Sequence, residues 1–192
     1  MNGVYEKIDE DIKNRLSQHR YYHSVCVAKA AKHLAEKYGG DPVKAEIAGI
    51  GHDVFKELSR EEMFSFLDTV SISLTEIEKS APKLWHAIGG AEYLRRTYNL
   101  PDDIITAVRY HTTGRTGMSL LEKILYVADF ISADRDYEGV ENMRERAEIS
   151  LESAMEEGLR FTVEELSVKC VPIHPDTFEA YNEITLEKIK NG

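Results

Sequence analysis

The chain has 192 residues, 42% hydrophobic and 30% charged, the make-up of an ordinary globular protein. A formal charge of -10 argues against a free nucleic-acid binder or an anionic-membrane binder, so an anionic substrate would need local cations or metal ions. Two cysteines, Cys26 and Cys170, make no disulfide framework, and there is neither a leader pattern nor a bilayer-length apolar run; a cytoplasmic protein is expected.

Taken in chain order, the punctuation marks helix ends. Val27, Ala30, Ala31, Leu34 and Tyr38 recur at steps of three and four, which predicts a helix over 22–38. "YGGDP" stops it and starts another, with Pro42 near its first turn, running to about His52. Ser59 with Glu62 is a capping box, and Ser119 with Glu122 is a second. Between them, 86–98 reads as helix despite Gly89 and Gly90, and Pro101 restarts the chain. "TTGRTGMS" is a loop; 141–170 reads as one or two long charged helices, and "HPDT" opens a last one near 175–190. "VSISL" at 70–74 is a weak strand candidate. The expected class is all-α, a helical bundle with its site built in the core between facing helices. It is read as a single domain over 1–192, with a core of about 15–160 and a C-terminal helical extension of about 161–192.

Six residues stand out: His23, His52, Asp53, His86, His111 and Asp129. His23 precedes Val27, Ala30 and Leu34 on an apolar face. His52 follows Ala45, Ala48 and Gly49, a face of small side chains that allows close helix approach and leaves room for an ion. Adjacent helical residues point about 100° apart, so His52 and Asp53 share one ion only near a helix end. Asp129 follows Leu121 and Leu125 on a buried stripe, where an unpaired carboxylate is expensive. A lone histidine on an apolar face is more often a satisfied core group. Four histidines and two aspartates on separate helices are more simply explained by convergence on metal. Mixed imidazole and carboxylate donors suit Fe, Mn, Zn, Co or Ni, and six donors suit one octahedral ion or two ions bridged by a carboxylate. Two metals can clamp both oxygens of a phosphoryl displacement and make hydroxide from bound water near neutral pH. His19, His33 and His174 are read as structural.

The ordered set His23, His52-Asp53 and Asp129 resembles the HD-domain metal-dependent phosphohydrolases. With "HDVFKEL", "WHAIGGAEYL", "AVRYHTTGRTGMSLLEKILYVADFI" and "RDYEGV", the chain resembles one bacterial branch, the YqeK-type symmetrical diadenosine tetraphosphate (Ap4A) hydrolases, over about residues 15–160. The resemblance implies that His23, His52, Asp53 and Asp129 form the HD metal set. It implies that His86 and His111 complete a second position, with Asp53 bridging and iron as the favoured ion; Mn, Co, Zn or Mg remain open. The implied reaction is hydrolysis of Ap4A to two ADP by a metal-bound hydroxide, with Asp53 and Lys56 catalytic. Lys56, Arg115 and Arg135 match the branch's cations. From the residues themselves, Thr112, Thr113 and Gly114 could offer a substrate hydroxyls and close backbone approach, or simply end a helix. Val54 and Phe55 after the HD pair, and "SADRD" without the usual proline, depart from the pattern and bear on the pocket edge.

From the residues alone, each cation could equally be a solvated surface group, and Tyr21, Tyr22 and Tyr137 could stack on a base or simply belong to the core. Another HD nucleotidase or phosphodiesterase, and a nucleotide-binding HD module without catalysis, remain alternatives. The expected partner is a small nucleotide, not nucleic acid or membrane, and the C-terminal helices leave a homodimer open.

Overall fold

The structure, a computed structural model, describes residues 3–191. Helix α1 (Val4–Arg15) lies ahead of the expected core. Its signal is sparse: Val4, Ile8, Ile12 and Leu16 recur every four residues among charged neighbours, and Ile8 and Ile12 are fully buried. Helix α2 (Gln18–Tyr38) begins four residues before the periodicity does, because Ser17 caps it, accepting from the Arg20 amide at 3.4 Å. Ser17 is itself held by the Glu57 carboxylate, through its amide at 2.6 Å and its hydroxyl at 2.7 Å. Gly39, at φ 74, ends the helix in the left-handed region that glycine adopts without steric cost.

Helix α3 (Pro42–Gly51) is capped by Asp41, whose carboxylate accepts from the Val43 and Lys44 amides. Both expected capping boxes form, Ser59–Glu62 on α4 (Arg60–Thr69) and Ser119–Glu122 on α8 (Leu120–Ile131); Thr75–Glu78 makes a third on the short α5 (Glu76–Ser80). The strand candidate at 70–74 is instead a turn, with Ser71 at φ 58, and no strand occurs among the described residues. Alternation over five residues without a partner segment gives no ladder to join.

Helices α6 (Trp85–Tyr98) and α7 (Asp102–Tyr110) follow. Gly89 and Gly90 do not break α6, because they serve packing. A Cβ on Gly89 would sit 2.7 Å from Met63 Sδ, and one on Gly90 3.1 Å from Val54 Cγ1. The charged stretch after 140 is two helices, α9 (Val140–Ile149) and α10 (Leu151–Val168), split at Ser150, which is extended and caps α10. Helix α11 (Pro175–Asn191) closes the chain.

Helices α2 and α7 each pack on α3 and α8, α3 packs on α8, and α6 packs on α7. One apolar cluster runs from Ile8 in α1 to Ala180 in α11. The ends of α3 and α7, the start of α6 and the inner faces of α2 and α8 therefore meet at one point, where the site lies.

Candidate metal centre

His23 projects from the buried face of α2 and is 1% exposed. His52 ends α3, and Asp53 opens the following turn, so the pair sits at a helix end as its shared use requires. His86 stands in the first turn of α6, His111 ends α7, and Asp129 lies in the last turn of α8. His52, Asp53, His86 and His111 are all buried. Asp129 lies at the edge of its buried stripe, with its side chain 19% exposed.

His52 and His111 use the same device. Helix C-termini leave carbonyls without amide partners. His52 Nδ1 donates to the Gly49 carbonyl at 2.7 Å, and His111 Nδ1 donates to the Val108 carbonyl at 2.7 Å. Each bond fixes the tautomer and leaves Nε2 as a lone pair facing inward. His23 is held differently: its Nδ1 meets the Asp134 carboxylate at 2.7 Å, and Ser132 Oγ donates to the other Asp134 oxygen at 2.7 Å.

Asp53 divides the site. Its Oδ2 lies 3.6 Å from His52 Nε2 and 3.9 Å from His23 Nε2. Its Oδ1 lies 3.0 Å from His86 Nε2 and 3.7 Å from His111 Nε2. Asp129 Oδ1 is 3.0 Å from His23 Nε2 and 3.9 Å from His52 Nε2. Two triplets of donor atoms result, His23–His52–Asp129 and His52–Asp53–His111, with the atoms of each triplet within 4.8 Å of one another. His23 Nε2, His52 Nε2 and Asp53 Oδ1 are buried and lack a hydrogen-bond partner. Orphaned polar atoms of this kind are costly unless something satisfies them. Converging imidazole nitrogens and a carboxylate are what a borderline divalent cation takes.

The electrostatics agree with that use. Burial pushes the His52 imidazole down to about 3 and that of His86 down to about 4, so both rings are neutral near pH 7 and free to act as donors. Burial opposes ionisation of Asp53, but His52, His111 and His86 around it hold its carboxyl well below the usual range. Asp129 is likewise held down against burial by His23, His52 and Arg135.

Cations ring the mouth. Lys56 Nζ is 3.3 Å from Asp53 Oδ1 and 3.2 Å from His86 Nε2. Arg135 bonds the Asp129 carboxylate through its guanidinium and the Asp129 carbonyl through Nε at 2.8 Å. Two contributors escaped the sequence reading: Arg20, 3.6 Å from Asp53 Oδ2, and Asp134 behind His23. Arg20 lies three residues before His23, a spacing that shares a helix face; Asp134 had no periodic signal.

The loop after His111 is placed differently from expectation. The Arg115 guanidinium forks onto Glu122, at 2.6 and 2.9 Å, rather than joining the metal-site cations. Gly114, at φ 64, faces Leu159, Met118 and Ala180, and the Gly117 amide donates to the Glu183 carboxylate at 2.9 Å, so the loop is pinned to α11. Thr113 is turned onto the Gly114 carbonyl at 2.9 Å, while the Thr112 hydroxyl is buried without a partner. Tyr21 is tied to Asp9 and Tyr137 to the Phe130 carbonyl; Tyr22 is exposed. His33 pairs with Glu148 at the surface, and His174 Nδ1 accepts from the Asp176 amide at the start of α11.

Comparison with known proteins agrees with this geometry. Residues 20–134 match the HD domain family. The symmetrical bis(5′-nucleosyl)-tetraphosphatase of Bacillus subtilis is 42% identical over 89% of this chain and 92% of its own length. That of Halalkalibacterium halodurans is 40% identical over 92% of this chain and 95% of its own. A crystal structure from Clostridium acetobutylicum, described as a predicted HD superfamily hydrolase involved in NAD metabolism, superposes with a TM-score of 0.91 at 33% identity, covering 95% of this chain and 97% of that one. With its two donor triplets sharing His52 and its Asp53 facing both histidine groups, the chain belongs to the HD-domain family, in the branch that includes the symmetrical bis(5′-nucleosyl)-tetraphosphatases.

Proposed function

We propose that the protein hydrolyses Ap4A symmetrically to two ADP at a two-metal site held by His23, His52, Asp53, His86, His111 and Asp129. The observation that carries this reading is the division of Asp53, with one oxygen toward His23 and His52 and the other toward His86 and His111. A carboxylate so placed can bridge two ions. When bound, the metal pair would supply Lewis acidity to the phosphate oxygens and activate the attacking water. Water adds to one β-phosphorus, the bond from that phosphorus to the central bridging oxygen breaks, and the second ADP leaves with that oxygen. Lys56 and Arg135 border the donor set and counter the charge that gathers on the phosphate chain; Arg20 adds a third cation. Asp53 orients the imidazoles around it. Thr112 stands next to His111 with its hydroxyl unengaged, which supports a substrate contact there.

Iron is the ion favoured, and the thiolate-free donor set supports a first-row cation of this kind. The two cysteines are unpaired, which supports a reducing cytoplasmic setting, and no described helix is long and apolar enough to cross a membrane. Exposed Val168, Leu186 and Ile189 on α10 and α11 support a homodimer through the C-terminal helices.

The test is metal analysis of the purified chain joined to product identification with Ap4A. About two metals per chain, ADP as sole product, and loss of both in His52→Ala are expected. AMP plus ATP would overturn the cleavage position, and bound metal with Ap4A untouched would overturn the substrate.

A further inference from the structure

A groove opens off the metal centre on the side of Asp53 Oδ1. It lies between the start of α4 and the turn that leads into α6, with a volume of about 320 Å³. Lys56 and His86 form its inner end. Phe55, Met63 and Trp85 provide an apolar wall, and Arg60 and Lys83 stand at its rim. No carboxylate lines it, although the chain as a whole carries ten more acids than bases. Neither Arg60 nor Lys83 has a carboxylate within ion-pair distance among the described residues. The Arg60 guanidinium is instead spread over aromatic faces, 5.5 Å from the centroids of both Phe64 and Trp85. Such stacking holds a cation in place while leaving its donors free.

The volume sits near the lower end for small-molecule sites, room for one nucleotide moiety and not for a dinucleotide. Ap4A has two identical halves about its central bridging oxygen. An enzyme that cuts at the centre must hold a nucleoside diphosphate on each side of the metals. Arg20 approaches Asp53 through Oδ2, and Arg135 holds Asp129 on that same side. Lys56 and the groove lie on the Oδ1 side. We propose that this groove is the subsite for the second nucleoside-diphosphate half, with Lys56, Arg60 and Lys83 on its phosphates and the Phe55–Met63–Trp85 wall against its nucleoside. The proposal rests on the tetraphosphate reading above and assigns Arg60 and Lys83, whose side chains make no hydrogen bond or ion pair to a candidate donor among the described residues, as specificity residues.

The test is the double variant Arg60→Glu/Lys83→Glu, in the metal-loaded full chain. Both side chains are exposed, and an acid at the first residue of α4 suits the helix N-terminus, so the fold and metal content are expected to be unchanged. Loss of uniform binding raises KM with little change in kcat. The expected result is a KM for Ap4A at least tenfold higher, kcat within threefold, and ADP still the sole product. Arg60→Lys, alone, should recover most of the affinity lost in Arg60→Glu. A KM within twofold of the parent would overturn the proposal. Calorimetric titration with ADP separates the two readings. Two ADP per parent chain and one per variant chain support the groove even if Ap4A hydrolysis itself fails. Equal stoichiometry in both sinks the groove while leaving the hydrolase reading intact.

Discussion

Replacing Gly49 with alanine tests how the two histidines of the first triplet are brought together. A Cβ at Gly49 would lie 2.6 Å from Ala28 Cα and 2.8 Å from the Ala28 nitrogen, both backbone atoms of α2. Ordinary contact begins near 3.4 Å, so α3 must retreat from α2 by about 0.8 Å, since neither backbone can rotate away. Overpacking of this kind costs roughly 1–3 kcal/mol. Alanine returns about 1 kcal/mol of helix propensity, leaving a net loss of up to about 2 kcal/mol. For a chain of this size that lowers Tm by up to roughly 8 °C. The local effect is larger. Gly49 supplies the carbonyl that orients His52, whose ring centroid is 5.3 Å from that of His23. Metal donors tolerate displacements of only about 0.2 Å, so metal affinity should fall by a factor of about ten or more. Thermal melts of the metal-free chain read the first effect, and metal titration of the folded variant reads the second. A variant with parental Tm and parental metal affinity would refute the close-approach argument.

Asp134→Asn removes the charge that fixes His23 Nδ1; metal affinity should drop about 10–100-fold with the fold retained, as read by competition with a chelator. Stripping metal from the intact chain should lower Tm and leave it dependent on metal concentration, by about 2.7 kcal/mol at a hundredfold excess over Kd; an unchanged melt would mean the donors hold no ion. The metal-free chain should also lose stability as pH falls from about 6.5 toward 4. Unfolded imidazoles take up protons near 6.5, while folded His52 and His86 do so only near 3 and 4, so the unfolded state binds more protons in that window. His23, raised by Asp129 against its burial, works the other way but is one group against two. A flat stability profile between pH 7 and 5 would contradict this. Arg115→Ala should cost about 1 kcal/mol after allowance for its partial exposure, by leaving the buried Glu122 carboxylate with only its capping-box partner; a double-mutant cycle with Glu122→Gln measures the pair.

Periodicity and capping chemistry made most helices legible from sequence. The Ser59 and Ser119 caps are local devices, complete within four residues, and they form as written. Helix α1 was not legible because one apolar residue per turn, among acids and lysines, carries too little local signal; Ile8 and Ile12 are helical because a packed surface awaits them. The strand-like "VSISL" fails for the opposite reason, since alternation needs a pairing partner that the chain does not provide.

The identity of the six candidate donors was readable because four histidines and two aspartates at helix-face positions have few other uses together. Their grouping was implied only by the family resemblance, and its geometry was not readable. Which Asp53 oxygen faces which histidine, and that Asp134 and Arg20 stand behind and beside the donors, depend on helices far apart in the chain meeting at one point. The run Ala45, Ala48 and Gly49 shows the boundary clearly. Sequence marks it as a face of small side chains; the packing of Gly49 on the α2 backbone decides that close helix approach is its use there. Arg115 shows it again: a glycine-flanked cation beside a site histidine reads as a phosphate contact, and only the fold brings Glu122 beneath it. Local propensity acts over a turn or two, so sequence by itself determined most of the helices and marked the candidate donors. Long-range packing sets distances to fractions of an ångström, so the tertiary structure alone decided which Asp53 oxygen faces which histidine and which other groups stand against the donors.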